Sequence, residues 1–151
     1  MSAVSDIISQ IDNIIAEYTD YFRSTEALEK AKAVWRAECQ VNDCGVFVDY
    51  HEEIIARCGR AKAVVGVCRV RDGVFVHCFS FEYSLGGFGY APSVWNAEPH
   101  VTAEHARLAG IGELLGRING RGFTGDPVTA VAEHAALRSQ LENQIRQPSL
   151  F

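Results

Sequence analysis

A thiol and an imidazole set opposite each other in a β-hairpin are the residues of this chain nearest to a catalytic arrangement. The runs Ala63 to Arg71 and Val74 to Tyr83 flank Asp72-Gly73, which suits a type I′ turn because glycine tolerates positive φ and aspartate tolerates it better than most residues. A two-residue turn pairs Arg71 with Val74, Val70 with Phe75, Arg69 with Val76 and Cys68 with His77. Cys68 and His77 then form a non-hydrogen-bonded pair with Cβ atoms ~4.5–5.5 Å apart. An imidazole there favours the thiolate, lowering a reference pKa of ~8.5, and supplies a nucleophile with its base in place. Spacing does not select a third residue to orient the histidine, Glu82 and Asp49 being examples. The opposing and weightier reading is packing, with Cys68 a small buried hydrophobe and His77 a satisfied histidine among aromatics.

The same register puts Val64, Gly66, Cys68 and Val70 on one face with Phe75, His77, Phe79 and Phe81, the predicted core face. Val65, Val67, Arg69 and Arg71 share the other with Val74, Val76, Cys78 and Ser80, a mixed surface open to solvent or self-association. Phe75, Phe79 and Phe81 would form one wall of a ligand pocket, completed by Tyr90 and Trp95 from the next loop.

Two glycine-rich stretches invite comparison with anion-binding loops. Leu85-Gly-Gly-Phe-Gly-Tyr-Ala-Pro92 lacks a lysine-threonine pair and the third glycine of a dinucleotide loop, and Pro92 stands where a helix should open, so it reads as a wide turn. Gly116 to Pro127 is the better anion candidate, because Arg117 and Arg121 lie among glycines just before a helix N-terminus, although Asp126 would fill the N-cap there. His100 and His105 are five apart and His134 has Arg138 at i+4, so neither set matches a helical zinc motif, and no metal or cofactor is expected.

These residues need elements to hold them. Ile7, Ile8, Ile11, Ile14, Ile15 and Tyr18 recur at helical spacing behind Ser5 as N-cap, and a second helix follows Ser24 or Thr25 with Leu28, Ala31 and Trp35 as its stripe. Gly45 to Tyr50 reads as a short strand, and His51 to Cys58 as a short helix or an irregular strand. A third helix opens at Thr102 with Leu108, Ile111, Leu115 and Ile118 inward. A fourth opens at Asp126-Pro127 with Val128, Val131, Ala135, Leu141 and Ile145, before a short tail from Pro148 to Phe151. Thr102 to Leu108 resembles Val131 to Leu137, a similarity that common helix formers explain without duplication.

The 151 residues, 48% hydrophobic and 22% charged, fit one ordinary globular domain over residues 1–151. A net charge of −5 argues against tracking nucleic-acid phosphates. Five cysteines without a C-x-x-C pair fit neither a disulfide framework nor a zinc ribbon and favour a reducing, cytoplasmic setting. Met1 to Asp12 lacks the pattern of a signal peptide, and no run reaches the ~20 apolar residues of a membrane helix. The expected fold is α+β, an antiparallel meander of three to four strands flanked by two amino-terminal and two carboxy-terminal helices. The expected function is a non-enzymatic ligand-binding or protein-interaction module. It would be a homodimer taking a small-molecule or anionic ligand, and the alternative is a small hydrolase or transferase using Cys68 and His77.

Overall fold

Helix starts follow the capping residues, with two exceptions. The computed structural model describes residues 3–146, so the Pro148 to Phe151 tail lies outside the described residues. In α1 (Ala3–Glu17) Ser5 falls within the first turn and is not the N-cap. Before α2 (Thr25–Trp35), Ser24 Oγ accepts the Ala27 N–H at 3.0 Å, and Arg36 ends the helix in the left-handed region with φ 49°. Thr102 caps α3 (Ala103–Arg117) through the His105 N–H at 3.1 Å. Ahead of α4 (Val128–Arg146) the Asp126 carboxylate instead turns back to the Phe123 N–H at 2.8 Å, bracing the loop.

Four strands, β1 (His51–Cys58), β2 (Ala61–Arg71), β3 (Val74–Tyr83) and β4 (Gly86–Gly89), form one antiparallel sheet in the order β1-β2-β3-β4. The α+β meander with helices before and after it is thus as the sequence predicts. His51 to Cys58 is a strand. Gly45 to Tyr50 contributes only the isolated bridges Val41–Phe47 and Val46–Ser93, a correction to the predicted strand.

The hairpin has its predicted strands but a different register. Gly73 has φ +76°, whereas Asp72 stays at negative φ, so the turn is not type I′, which requires positive φ at both positions. Cys68 and Val70 lie in one core cluster with Val74 and Val76, so these valines share a face with Cys68, and Phe75 and His77 point the other way. Relative to the predicted pairing this is a one-residue slip, which moves every side chain of one strand to the opposite face. Val65, Val74 and Val76 are buried and offer no exposed surface for self-association.

The predicted wide turn at Leu85 to Pro92 contains β4, which pairs Ser80–Gly89, Phe81–Phe88, Glu82–Gly87 and Tyr83–Gly86. Its glycines serve close approach. A Cβ at position 87 would sit 2.3 Å from the Phe81 carbonyl oxygen, and one at 89 would sit 2.8 Å from Ser80 Cβ. Gly87→Ala is therefore expected to destabilise by about 1–2 kcal/mol, read as a lower urea midpoint at unchanged slope. An unchanged midpoint would show that β4 gives way freely.

The chain divides into two compact units. One takes in the chain up to His51, Val67–His77 and Ala91–Ala106, and the other Glu52–Gly66, Cys78–Tyr90 and the chain from Arg107. In the first, Ile7, Ile11 and Ile14 of α1 and Ala27, Ala31 and Trp35 of α2 cover Phe47, Cys68, Val70, Val74, Val76 and Val94. In the second, α3 packs so closely on β2 that a Cβ at Gly110 would meet Val65 Cγ1 at 2.7 Å. Gln140 of α4 covers the edge of β1 by bonding both the Arg57 N–H and its carbonyl at 2.8 Å. The buried face of α3 is Ala106, Ile111 and Leu114, continued by the buried Ile118 just past its end, with Leu108 exposed. The buried face of α4 is Ala130, His134, Leu137 and Leu141, which keeps Leu141 of the predicted stripe but leaves Val128 84% exposed and Ile145 exposed. His105 is exposed and His134 buried, so the two similar helical segments occupy unlike environments.

Candidate functional site

The hairpin register separates the proposed nucleophile from its base. Cys68 faces the α1–α2 core, against which Cys39 also packs. His77, only 2% exposed, lies on the other face, where its Nδ1 is 2.9 Å from Nε2 of His100, one nitrogen donating and the other accepting. His100 is fixed by two backbone bonds to Phe75, at 2.7 and 2.8 Å, in a bridge the sequence reading takes for loop. Among the described residues no group of three or more His, Cys, Asp or Glu side chains is arranged to hold a metal ion.

The predicted ligand wall is also divided. Phe75 is half-buried beside His100 in the first unit. In the second, Phe79 meets Tyr90 edge-on at 4.9 Å and Phe81 meets Phe88 at 5.2 Å, so both rings are spent on packing. Tyr90 reaches outward, its hydroxyl donating to Glu113 Oε2 at 2.8 Å. Arg117 lies 5.5 Å from the centre of the Phe88 ring. In the anion-loop candidate, Asn119 Oδ1 already accepts the Arg121 N–H at 2.7 Å, and Asp126 takes the Phe123 N–H. Two backbone donors of this loop, at Arg121 and Phe123, are thus engaged within it.

Of the predicted residues, Trp95 lines a real concavity. It belongs to a groove of about 230 Å³ in the first unit, with Ile7, Ile8, Ile11 and Asp12 of α1, Trp35 of α2, and Val94, Asn96, Ala97 and Glu98. The loop wall is held by its own hydrogen bonds. Ser93 Oγ donates to Asn96 Oδ1 at 2.9 Å, and the Trp95 and Asn96 N–H groups donate back to that hydroxyl at 3.2 and 3.3 Å. The Val94 N–H reaches the Gly45 carbonyl at 2.8 Å, and the Val94 carbonyl accepts Trp35 Nε1–H at 2.9 Å. Gly45 is required here: φ is +84°, and a Cβ would lie 3.0 Å from Val94 Cγ2 and 3.2 Å from Trp95 Nε1. Trp95 is braced from behind by Tyr21, ring centres 4.9 Å apart.

The groove thus has an apolar floor, two indoles and two rim carboxylates, Asp12 and Glu98, with no Lys or Arg among the described residues that line it. Such a site attracts a small apolar body carrying positive charge. Sequence reasoning misses Ile8, Asp12, Trp35 and Glu98 as site residues. The available signal is the width of the α1 stripe, which exceeds one core contact and leaves Ile8 45% exposed. Comparison of the chain with protein-family models, curated proteins and solved structures finds no match.

Proposed function

We propose that the protein is a non-enzymatic ligand-binding module whose site is the groove walled by α1 and residues 94–98, and whose ligand is a small apolar cation such as an alkyl- or arylalkylamine. The observation that carries this reading is the pairing of an apolar, indole-lined floor with Asp12 and Glu98 and no basic residue. A preformed wall lowers the ordering cost of binding, and 230 Å³ suits a ligand smaller than most drug-sized molecules. The alternative, a hydrolase or transferase using Cys68 with His77, needs both side chains on one face of the hairpin, whereas Cys68 packs with Val74 and Val76. No helix among the described residues is long and apolar enough to cross a membrane.

Both tryptophans of the chain line the groove, so intrinsic fluorescence reports on it directly. Titration with n-hexylammonium is expected to shift the emission with a Kd on the order of 0.1–1 mM. The double variant Asp12→Asn/Glu98→Gln should weaken that binding about tenfold and leave n-hexanol unchanged, because each carboxylate contributes roughly 0.7 kcal/mol at ~6 Å in water. Equal binding of hexanoate, or no response to the amine at millimolar concentration, rejects the reading.

A further inference from the structure

Cys39 and Cys68 are brought together by constraints that involve neither thiol. The Glu38 N–H donates to the Val70 carbonyl at 2.8 Å, and the Glu38 carboxylate pairs with the Arg69 guanidinium at 3.1 Å, which lays the segment after α2 along the end of β2. On its other side, the Gln40 N–H bonds Asp49 Oδ2 at 2.9 Å and the Gln40 carbonyl accepts the Val48 N–H at 3.1 Å. Between these anchors Cys39 packs, half-buried, against the core cluster that contains Cys68, whose side chain lies beside its thiol. All five cysteines are reduced in this structure.

We propose that Cys39 and Cys68 form a redox-active dithiol that exchanges with low-molecular-weight disulfides, Cys39 being the attacking sulfur and Cys68 the resolving one. The Cys39 thiolate attacks one sulfur of a disulfide RSSR, forming a Cys39–SR mixed disulfide and releasing RS⁻. Cys68 then gives up its proton, and its sulfur attacks Cys39 Sγ, which forms the Cys39–Cys68 bond and expels the second RS⁻. The protein loses two electrons and two protons, and RSSR becomes two RSH. The order follows from access, because Cys39 is half-exposed whereas Cys68 is buried and can react only with a sulfur already beside it.

The electrostatics agree with this division of roles. The Cys68 side chain beside it holds the Cys39 thiol below its ordinary value, with the Arg69 charge acting the same way and burial and Asp49 against it. By contrast, burial pushes the Cys78 thiol up to about 11, which makes it a poor nucleophile. Cys44, exposed on a turn, provides an internal comparison.

The test is incubation of the full chain with glutathione disulfide at neutral pH, followed by acid quenching and non-reducing peptide mapping. The Cys39–Cys68 link should exceed the glutathione adduct at Cys39 by at least about tenfold, because the second thiol competes at a high effective concentration. At Cys44 the adduct should persist. In Cys68→Ala the adduct should accumulate at Cys39, and in Cys39→Ser Cys68 should stay unmodified. Glutathione retained on Cys39 of the natural chain as it is on Cys44, or a Cys39 that never reacts, overturns the proposal. If Cys68→Ala loses its folded spectrum, the ratio in the natural chain and the Cys39→Ser result decide it alone.

Discussion

Trp35→Ala is expected to lower the unfolding free energy by about 4–5 kcal/mol, the largest loss for any single side chain of the first unit. The indole is 1% exposed, meets Phe47 edge-on with ring centres 5.1 Å apart, and donates Nε1–H to the Val94 carbonyl at 2.9 Å. Truncating a buried tryptophan costs about 3–5 kcal/mol in lost transfer energy and residual cavity, and the lost hydrogen bond adds about 1 kcal/mol. A native domain has only about 5–15 kcal/mol to lose. Trp35→Phe keeps most of the volume and the contact with Phe47 while losing the hydrogen bond, so it should cost about 1–2 kcal/mol. Urea unfolding of the three proteins measures both differences, and a Trp35→Ala loss below that of Trp35→Phe would refute the account. The Val94 carbonyl that Trp35 holds belongs to the groove wall, so Trp35→Phe should also weaken hexylammonium binding while Asp12 and Glu98 remain in place.

The hairpin shows where the sequence is legible and where it stops being so. Asp72-Gly73 between apolar runs located both strands correctly, because the reversal needs glycine in the left-handed region and Gly73 adopts it. The dipeptide did not fix Asp72, which is compatible with either sign of φ, and that one torsion decides the turn type and thus the register. A slip of one residue then moved Val74 and Val76 into the Cys68 core and dissolved the predicted Cys68–His77 contact. β4 was hidden for another reason: Gly86-Gly-Phe-Gly has no apolar alternation and consists of residues depleted from strands, and it is recognisable only by how closely it approaches Phe81 and Ser80. The groove was half-legible. Trp95 announced itself as an aromatic in a loop, but its partners on α1 and α2 are distant in sequence, and only packing brings Ile8, Asp12 and Trp35 to it. The α4 stripe is right at Leu141 but not at its ends, because hydropathy favours Val128 and Ile145, whereas the helix turns His134 inward to meet three aromatic rings.

That inward histidine carries the second large effect, in the opposite direction. His134→Phe is expected to stabilise the protein by about 2–3 kcal/mol at pH 7, because His134 is fully buried and neither ring nitrogen has a hydrogen-bond partner among the described residues. An unsatisfied buried polar group costs about 1–3 kcal/mol, and this ring carries both a donor and an acceptor. Its surroundings are already those of an aromatic residue: Phe81, Tyr83 and Phe123 meet it edge-on with ring centres at 5.1, 4.7 and 5.2 Å. Burial also holds its pKa below 6.5, against the opposing pull of Asp126 and Glu133. The unfolded chain therefore binds a proton here before the folded one does, so stability is fully present above about pH 6.5 and is lost as pH falls from there through the lower folded-state value. Phenylalanine removes this proton linkage and leaves the other histidines in place. The stability gap between His134→Phe and the natural protein should consequently widen from pH 7 to pH 5 in paired urea titrations. A gap that stays constant means that His134 remains neutral and takes no part in acid unfolding, and a destabilised variant at pH 7 means that the imidazole makes a contact worth more than its desolvation.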